Sequence, residues 1–298
     1  MKLTVHRLPF IVLLLLPLLA ACSAREQVED CLQYALTVKA VDVEGNDLTG
    51  SGALTSVDIY LFDETGFVRM VPAGTSSDFY FAHDKASPVT LVAWGNLKTD
   101  SLTLTDIVVG TPINQALLSL KSKESGYDLP ITDLFYSRKV METGGSSATR
   151  GLMEENLTLV LERRAAGMSI RTRYFAERFG NTGEPCRFVV RGTAKALNFL
   201  GQAVGDNAGY EPVAVTNGQG DTYAAPFRVF PTQEEQQMEI DIYRTGEKLF
   251  TITEDMKGES LYALPGQQLN VDIDFRYARV RVTVTVEPWG EVSQDTEF

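Results

Sequence analysis

The sequence predicts an all-β protein built of β-sandwiches, and three observations support this prediction. Apolar residues alternate with polar ones over many short runs, which is the period of a strand with one buried face. Turns rich in Gly, Asn and Asp separate these runs at fairly even spacing. No long amphipathic helix pattern interrupts the series, so the strands are expected to bury their apolar faces in packed sheets.

The first half of the chain carries the clearest strand patterns. Leu32 to Val41 alternates apolar residues with others, and Gly45-Asn46-Asp47 is a turn after it. Val57 to Phe62 and Phe67 to Val71 flank Asp63-Glu64-Thr65-Gly66, which predicts a β-hairpin. Three further strands are predicted in this half, at Phe79–Phe81, Asp133–Ser137 and Asn156–Glu162.

Two stretches depart from simple alternation. Val89 to Trp94 is almost continuously apolar, which indicates a strand that is buried on both faces. Asp106 to Leu120 is the stretch most able to form a short helix or an irregular segment. Gly144 to Ser147 predicts a flexible loop.

The second half repeats the theme, and Met238 to Tyr243 alternates so strictly that one face should be buried and the other solvated. A domain boundary is placed at Arg163-Arg164, which predicts an N-terminal sandwich domain of residues 31–163 and a C-terminal one of residues 164–298. Strands are predicted in the second half at Met168–Tyr174, Phe188–Val190, Ala196–Leu200, Phe227–Phe230, Met238–Tyr243, Lys248–Ile252, Leu269–Phe275 and Val280–Val286.

The first residues of the chain have the composition of an export signal. Lys2 and Arg7 precede an apolar run from Phe10 to Leu19, which is shorter than the ~20 residues of a membrane-spanning helix and contains Pro17. This run therefore predicts a cleavable signal peptide.

The end of this signal has the pattern of a lipobox, Leu19-Ala20-Ala21-Cys22. Residues 1–21 are therefore predicted to be removed and Cys22 to carry acyl chains, so that residues 22–30 form a lipidated tether. Two or three acyl chains hold a protein durably on a membrane, since each buried methylene contributes ~0.8 kcal/mol. An ordinary secretory signal followed by a chance cysteine is the alternative.

The charge of the chain excludes one class of partner. The sequence has 27 basic and 39 acidic residues, a formal net charge of −12, and removal of Lys2 and Arg7 would make it −14. Nucleic acid is a poor partner for such a surface, because phosphate binding requires the opposite charge. Anionic lipid head groups are equally unsuited to hold the protein without acyl chains.

The residues that usually carry catalysis are scarce. Only His83 remains once His6 leaves with the signal, and no G-x-S-x-G, P-loop or H-E-x-x-H motif is present. Cys31 and Cys186 are the remaining thiols of the predicted mature chain and could form a disulfide, although their spacing does not require it. They are too few for a zinc site. The sequence therefore predicts no catalytic residue, no metal and no cofactor.

The order of several short motifs resembles the fimbrillin superfamily of type V pili, in its branch of FimB-type lipoprotein anchor and accessory subunits. Each motif is weak alone, but together they span nearly the whole predicted mature chain. The motifs are the lipobox with Asp30-Cys31, the hairpin at Val57–Gly66, Leu91–Asn96, Asp133–Tyr136, Leu161–Ala166, Pro265-Gly266 and Pro288-Trp289.

The resemblance implies two tandem transthyretin-like β-sandwich domains on a lipid-anchored protein of the outer membrane and the cell surface. Stalk subunits of this superfamily assemble by strand exchange after proteolysis, whereas anchor subunits keep their lipid. The implied partners are other fimbrial subunits and the membrane, through the lipid. Host or bacterial surface ligands are further partners that the resemblance allows.

Two stretches bear on how this chain would assemble. The last strand, with Val280, Val282, Val284 and Val286 on one face, is the candidate partner strand, or else it completes the C-terminal sandwich. Arg150 lies in a glycine-rich loop that a protease could cut. Cleavage there would not free the first strand, so the chain is expected to stay uncleaved after signal removal.

Three functions are compared on these observations. The leading hypothesis is a non-catalytic fimbrial anchor or accessory subunit, with a stalk or tip fimbrillin as a variant. The second is a surface lipoprotein that binds a glycan or a host protein through exposed aromatic residues, and the third is an enzyme that uses two of the many carboxylates. The candidate aromatic residues are Trp94, Tyr127, Phe135, Tyr136 and Trp289.

Overall fold

The computed structural model describes residues 32–71, 79–83, 87–141, 154–180, 185–234 and 236–289. These residues form eighteen strands and one helix of five residues, α1 (Phe175–Phe179), so the all-β prediction is confirmed. The strands are β1 (Leu32–Val41), β2 (Val57–Asp63), β3 (Gly66–Val71), β4 (Phe79–His83), β5 (Val89–Gly95), β6 (Leu102–Leu104), β7 (Leu117–Leu120), β8 (Phe135–Met141), β9 (Glu154–Arg163), β10 (Ala166–Arg173), β11 (Arg187–Asn198), β12 (Ala203–Tyr210), β13 (Ala214–Thr216), β14 (Thr222–Val229), β15 (Glu239–Arg244), β16 (Glu247–Ile252), β17 (Gln267–Asp274) and β18 (Arg281–Pro288).

The strands form three sheets. Sheet 1 has the order β3-β2-β5-β8-β9-β1-β4, sheet 2 the order β16-β15-β11-β7-β6 with β12 also paired to β11, and sheet 3 the order β13-β14-β10-β17-β18. Two strand pairs are parallel, β1 with β9 in sheet 1 and β10 with β17 in sheet 3. All other pairs among the named strands are antiparallel.

Sheet 1 encloses a core of its own. Leu36 of β1 and Leu161 of β9 pack in one cluster with Ile59 of β2 and Leu91 of β5, although these strands lie towards opposite ends of the sheet. Sheet 1 must therefore curl so that its two ends share one apolar interior. The predicted burial of β5 on both faces is confirmed, since its alternate residues face this core and the opposite side.

Sheets 2 and 3 pack face to face around the second core. Phe188 and Ile240 of sheet 2 share this core with Ile170 and Val271 of sheet 3. Each of these side chains is at most 2% exposed. The apolar residues that alternate along these strands thus form the two inner faces of a β-sandwich, which pack against each other.

An aromatic cluster joins sheet 1 to this second core. It consists of Tyr60, Phe62 and Trp94 from the outer face of sheet 1, Tyr136 beside them, and Phe199 from the turn after β11. The Phe199 ring lies 4.9 Å from Tyr60, 5.7 Å from Trp94 and 5.9 Å from Phe62 between centroids. The Tyr136 hydroxyl donates a hydrogen bond of 3.0 Å to the Phe199 carbonyl. The two halves of the chain therefore share a continuous hydrophobic interior.

One sequence expectation about the first half is only partly confirmed: residues 106–116 are irregular, as expected, but the end of that stretch is a strand. Leu117 to Leu120 forms strand β7. This strand pairs antiparallel with β11, and the register runs from Leu117 opposite Asn198 to Ser119 opposite Ala196. β6 and β7 therefore belong to sheet 2, whose other strands come from beyond residue 163. The division into residues 31–163 and 164–298 stays a prediction, and these two strands cross it.

The strand β11 differs from the prediction of two separate strands. It runs unbroken from Arg187 to Asn198, with a register shift around Gly192, whose φ is 91°. A Cβ atom at Gly192 would lie 2.3 Å from the Gln237 carbonyl oxygen, so a side chain has no room there. The glycine permits a β-bulge, and the strand continues past it.

Candidate functional site

The candidate partner strand is β18, at one edge of sheet 3. Among the described strands it pairs only with β17, in antiparallel register from Asp274↔Arg281 to Gln267↔Pro288. In this structure β18 thus completes the C-terminal sandwich, which is one of the two alternatives that its sequence left open. A row of backbone groups on its other side faces away from the sheet.

The direction of these backbone groups follows from one hydrogen bond. The Met256 N–H donates to the Val282 carbonyl at 2.9 Å, so the backbone of Val282 faces away from β17. Because backbone groups alternate along an antiparallel strand, Val284 and Val286 face the same outer side. Met256 already occupies the carbonyl of Val282, so the part of this edge at Val284 and Val286 is the part that can pair with an added strand by β-augmentation.

The valine side chains of β18 lie on the inner face of sheet 3, opposite buried apolar residues of β17. Val282 is buried, Val284 is half-buried and Val286 is 49% exposed. Val280, just before the strand, packs against the same core. The apolar face of β18 therefore becomes progressively uncovered towards its end, beside the outward-facing backbone.

The end of β18 is fixed by a second feature, the junction cluster of Asp133, Arg163, Arg228, Gly266 and Trp289. Trp289 is 4% exposed, and the guanidinium carbons of Arg163 and Arg228 lie over its ring, 4.4 Å and 4.5 Å from the ring centroid. The Trp289 carbonyl accepts a hydrogen bond of 2.6 Å from Arg163 Nη1, and its N–H donates to the Gly266 carbonyl at 3.0 Å. The cation–π contacts of two guanidinium groups with one ring stabilise this position.

The junction cluster contains a bidentate ion pair. Arg163 Nε lies 3.0 Å from both carboxylate oxygens of Asp133, and Arg163 Nη2 lies 2.8 Å from Oδ2. Burial raises the pKa of Asp133 although the positive charge of Arg163 opposes this, and burial lowers the pKa of Arg228. These charged groups are stable in the interior only as a set, since each one left alone would be buried without a counter-charge.

The aromatic residues considered for ligand binding are mostly in the interior. Tyr127, the exception, is half-buried, and its hydroxyl accepts a hydrogen bond of 3.1 Å from Arg187. The other four do not offer an exposed platform for a glycan, because they are buried: Trp94, Phe135, Tyr136 and Trp289.

Three other predicted positions, Cys22, Cys31 and Arg150, lie outside the described residues. Cys186 lies next to the start of β11 and is buried, and burial raises the pKa of its thiol to about 11. The pairing of Cys31 with Cys186 stays a prediction, as do the lipid on Cys22 and the protease-sensitive loop at Arg150.

The part of the chain that the structure describes holds no group of three or more His, Cys, Asp or Glu side chains arranged to bind a metal ion. Within the same residues, no helix has the length and apolar character needed to cross a membrane. The sequence does not predict the junction cluster as a set, although four of its five residues lie in motifs of the family resemblance: Asp133–Tyr136, Leu161–Ala166, Pro265-Gly266 and Pro288-Trp289. Nothing in the local sequence links Arg228 or Asp133 to Trp289.

Comparison with known proteins gives a consistent result along the chain. A family model described as fimbrillin-A associated anchor proteins Mfa1 and Mfa2 matches residues 28–295. The major fimbrium anchoring subunit FimB of Porphyromonas gingivalis strain W83 is 26% identical, over 97% of this chain and 96% of that protein. The solved structure of the fimbrial anchor protein Mfa2 from Porphyromonas gingivalis superposes with a TM-score of 0.65 at 14% identity, covering 87% of this chain and 98% of that one.

The family match extends over both halves of the chain, and the Mfa2 structure has the same fold. The resemblance drawn from short motifs in the sequence is thereby confirmed at the level of the family. The chain belongs to the family of fimbrillin-A associated anchor proteins Mfa1 and Mfa2.

Proposed function

We propose that the chain is a non-catalytic fimbrial anchor or accessory subunit, held in the outer membrane by lipid on Cys22 and bound to other fimbrial subunits through strand and domain contacts. The observation that carries this proposal is the family match over residues 28–295, which includes the sandwich core, the junction cluster and β18. The name of the FimB relative, an anchoring subunit, supports the same role.

The physical basis of anchoring is the difference between one acyl chain and several. A single chain gives marginal, reversible membrane binding, whereas two or three give durable attachment. The short segment before β1, residues 22–30, would connect this attachment to sheet 1. Force on a fibre would then enter the folded body at the first residues of β1.

Replacing Cys22 by Ser is expected to release the protein from the membrane, because the thiol that forms the thioether to diacylglycerol is lost. The measurement is labelling of cells with a radioactive or alkyne-bearing fatty acid, followed by membrane fractionation and electron microscopy of fibres. Cys186→Ser is the control and should leave both the label and the attached fibres unchanged. Acylated, membrane-bound C22S protein would contradict lipidation at this residue.

The outer edge of β18 is the proposed contact for another fimbrial subunit. Replacing Val284 by Pro removes an outward N–H and leaves the hydrogen bonds to β17 intact, as proline is tolerated on an edge strand. We expect at least ~10-fold weaker recovery of fimbrial subunits with the tagged, full-length variant, because a partner strand would lose a backbone hydrogen bond and meet the proline ring.

The matched control is Val284→Ala, which keeps the N–H and loses only two methyl groups. It should retain most of the recovery, and both variants should melt within a few degrees of the wild type. Equal recovery with V284P and wild type would place the contact elsewhere.

Donation of β18 to a partner would require it to leave β17. The double variant Asn270→Cys with Thr285→Cys distinguishes donation of β18 from pairing at its outer edge. The two positions face each other in the register, so a disulfide between them would hold β18 on β17. Recovery of fimbrial subunits with the oxidised double variant should therefore be lost if β18 is donated, and unchanged if the partner pairs with its outer edge.

A further inference from the structure

The connection between sheet 1 and sheet 3 is very short. β9 ends at Arg163 and β10 begins at Ala166, so only Arg164 and Ala165 join the two sheets along this part of the chain. Their backbones are held on both sides, since Arg164 N–H donates to Leu134 at 2.7 Å and Ala165 accepts from Gly266 at 2.9 Å. A pull along the chain must pass through this link.

The strands on either side of the link are arranged to resist such a pull. β1 and β9 are parallel, so the start of β1 and the end of β9 lie at opposite ends of their ladder. Tension applied between these points acts along the strands and loads all of the ladder's hydrogen bonds together. β10 and β17 form the same parallel arrangement in sheet 3. Between the two ladders, the backbone itself is only the two residues Arg164 and Ala165.

The junction cluster bridges this point. Arg163, the last residue of β9, binds both Asp133, just before β8, and Trp289, which follows β18. Arg228 of β14 also lies over the ring of the same tryptophan, 4.5 Å from its centroid. Sheet 1 is thereby bonded directly to the end of the last strand of sheet 3, without passing through Arg164 and Ala165.

Gly266 of the junction cluster packs closely against the segment that follows β1. Gly266 has φ 68°, and a Cβ atom there would lie 2.4 Å from Cγ1 of Val43, two residues after β1. The segment that follows β1 thus packs against the turn that holds Trp289. Because contacts between domains are often small and mobile, a buried ionic and aromatic lock at this place is a specific restraint.

We propose that the junction cluster is a mechanical lock that transmits tension between β1 and β18, so that the two halves of the chain resist force as one body. The inference rests on the proposed anchoring function, in which the tether pulls on β1 and a partner pulls on the second sandwich. The guanidinium of Arg163, at the end of β9, bonds to Asp133, just before β8 of sheet 1, and to the carbonyl of Trp289, just after β18 of sheet 3.

The test is single-molecule pulling of the purified chain from residue 23 to its C-terminus, which requires neither lipid nor fibres. For the wild type we expect one major rupture that releases the length of both halves. Trp289→Leu, which removes the ring that both guanidinium groups contact, should give two separate ruptures, the first at about half the wild-type force. Trp289→Phe keeps an aromatic ring and should retain the single rupture.

A second variant and a matched control complete the test. Arg163→Met should also give two separate ruptures. If the R163M protein does not fold, the result for W289L tests the proposal by itself. Arg171→Met is the control, since it breaks the ion pair of 2.9 Å between Arg171 and Asp221 at the surface of sheet 3 and should leave the single rupture unchanged. A single rupture at wild-type force in W289L would overturn the lock. Failure of the anchoring function would instead appear in the C22S experiment.

Discussion

Replacing Phe199 by Ala is expected to lower the free energy of unfolding by about 3–5 kcal/mol, the usual cost of removing a fully buried phenylalanine ring. The ring is completely buried and contacts three other rings, each within 6 Å between centroids. Its loss leaves a cavity between sheet 1 and the second core, where the rigid backbones of two sheets limit collapse. Edge-to-face contacts with Tyr60 and Phe62 add to the loss.

The measurement is the midpoint and slope of urea unfolding, followed by tryptophan fluorescence, because Trp94 lies in the same cluster. Phe199→Leu keeps most of the volume and should cost less than about 1.5 kcal/mol. Phe179→Ala is the matched control, since this ring is only partly buried at the end of α1 and contacts other aromatic residues. Equal losses in F199A and F179A would contradict the role assigned to the aromatic cluster.

The position of Phe199 also shows why part of the fold could not be predicted. Val57 to Phe62 and Val89 to Trp94 have local patterns strong enough to identify β2 and β5, and the structure confirms them. No local pattern shows that the outer faces of these strands are covered by Phe199. Covering that face depends on a contact between residues more than one hundred positions apart, which only the assembled sheets define.

The same reasoning explains the missed strands. Leu117 to Leu120 is short and lies in a stretch with mixed signals, and its strand state depends on pairing with β11. Ala203 to Tyr210, which forms β12, has few apolar residues and two glycines, so its pattern does not predict a strand. It forms one because the long strand β11 offers an edge with which it can pair.

The sequence likewise predicts one part of the candidate site, the strand β18, but not the burial of Trp289. The alternation of the valines predicts a strand, which the structure confirms as β18 because this signal is local, whereas its role as a partner strand stays a prediction. Trp289 was considered as a surface aromatic residue since it follows Pro288 outside the strand pattern. It is buried because Arg163 and Arg228, distant in sequence, provide two cationic surfaces for its ring.

Asp241 is a further departure from the sequence pattern. The alternation from Met238 to Tyr243 predicts that Asp241 lies on a solvated face, but the residue is 1% exposed. Its carboxylate forms an ion pair with Arg191, lies 3.3 Å from Lys248 Nζ and accepts a hydrogen bond of 2.5 Å from Thr251 Oγ1. The long side chains of Arg191 and Lys248, on the neighbouring strands, thus shield the polar face around Asp241 from solvent.

Replacing Asp241 by Asn is expected to cost about 1.5–3 kcal/mol at neutral pH, the range for hydrogen bonds to a charged group. Burial acts to raise the pKa of Asp241, but hydrogen bonds from Thr251, Lys248 and Arg191 outweigh it and leave the pKa below its ordinary value. A carboxylate whose pKa is lowered by folding stabilises the protein above the pKa of the unfolded chain, ~3.9. This contribution is lost as the pH falls through the folded pKa.

The difference in stability between the wild type and D241N should therefore be constant from pH 8 to about pH 5 and shrink below about pH 4. Urea unfolding at a series of pH values measures it. Glu239→Gln is the matched control, because Glu239 also approaches Arg191, at 3.9 Å, but is 41% exposed and should contribute at most ~1 kcal/mol. An unchanged D241N difference down to pH 3 would contradict the charged state assigned to Asp241. Because Arg191 and Lys248 belong to strands on either side of β15, loss of this charge is expected to loosen the outer face of sheet 2 as a unit.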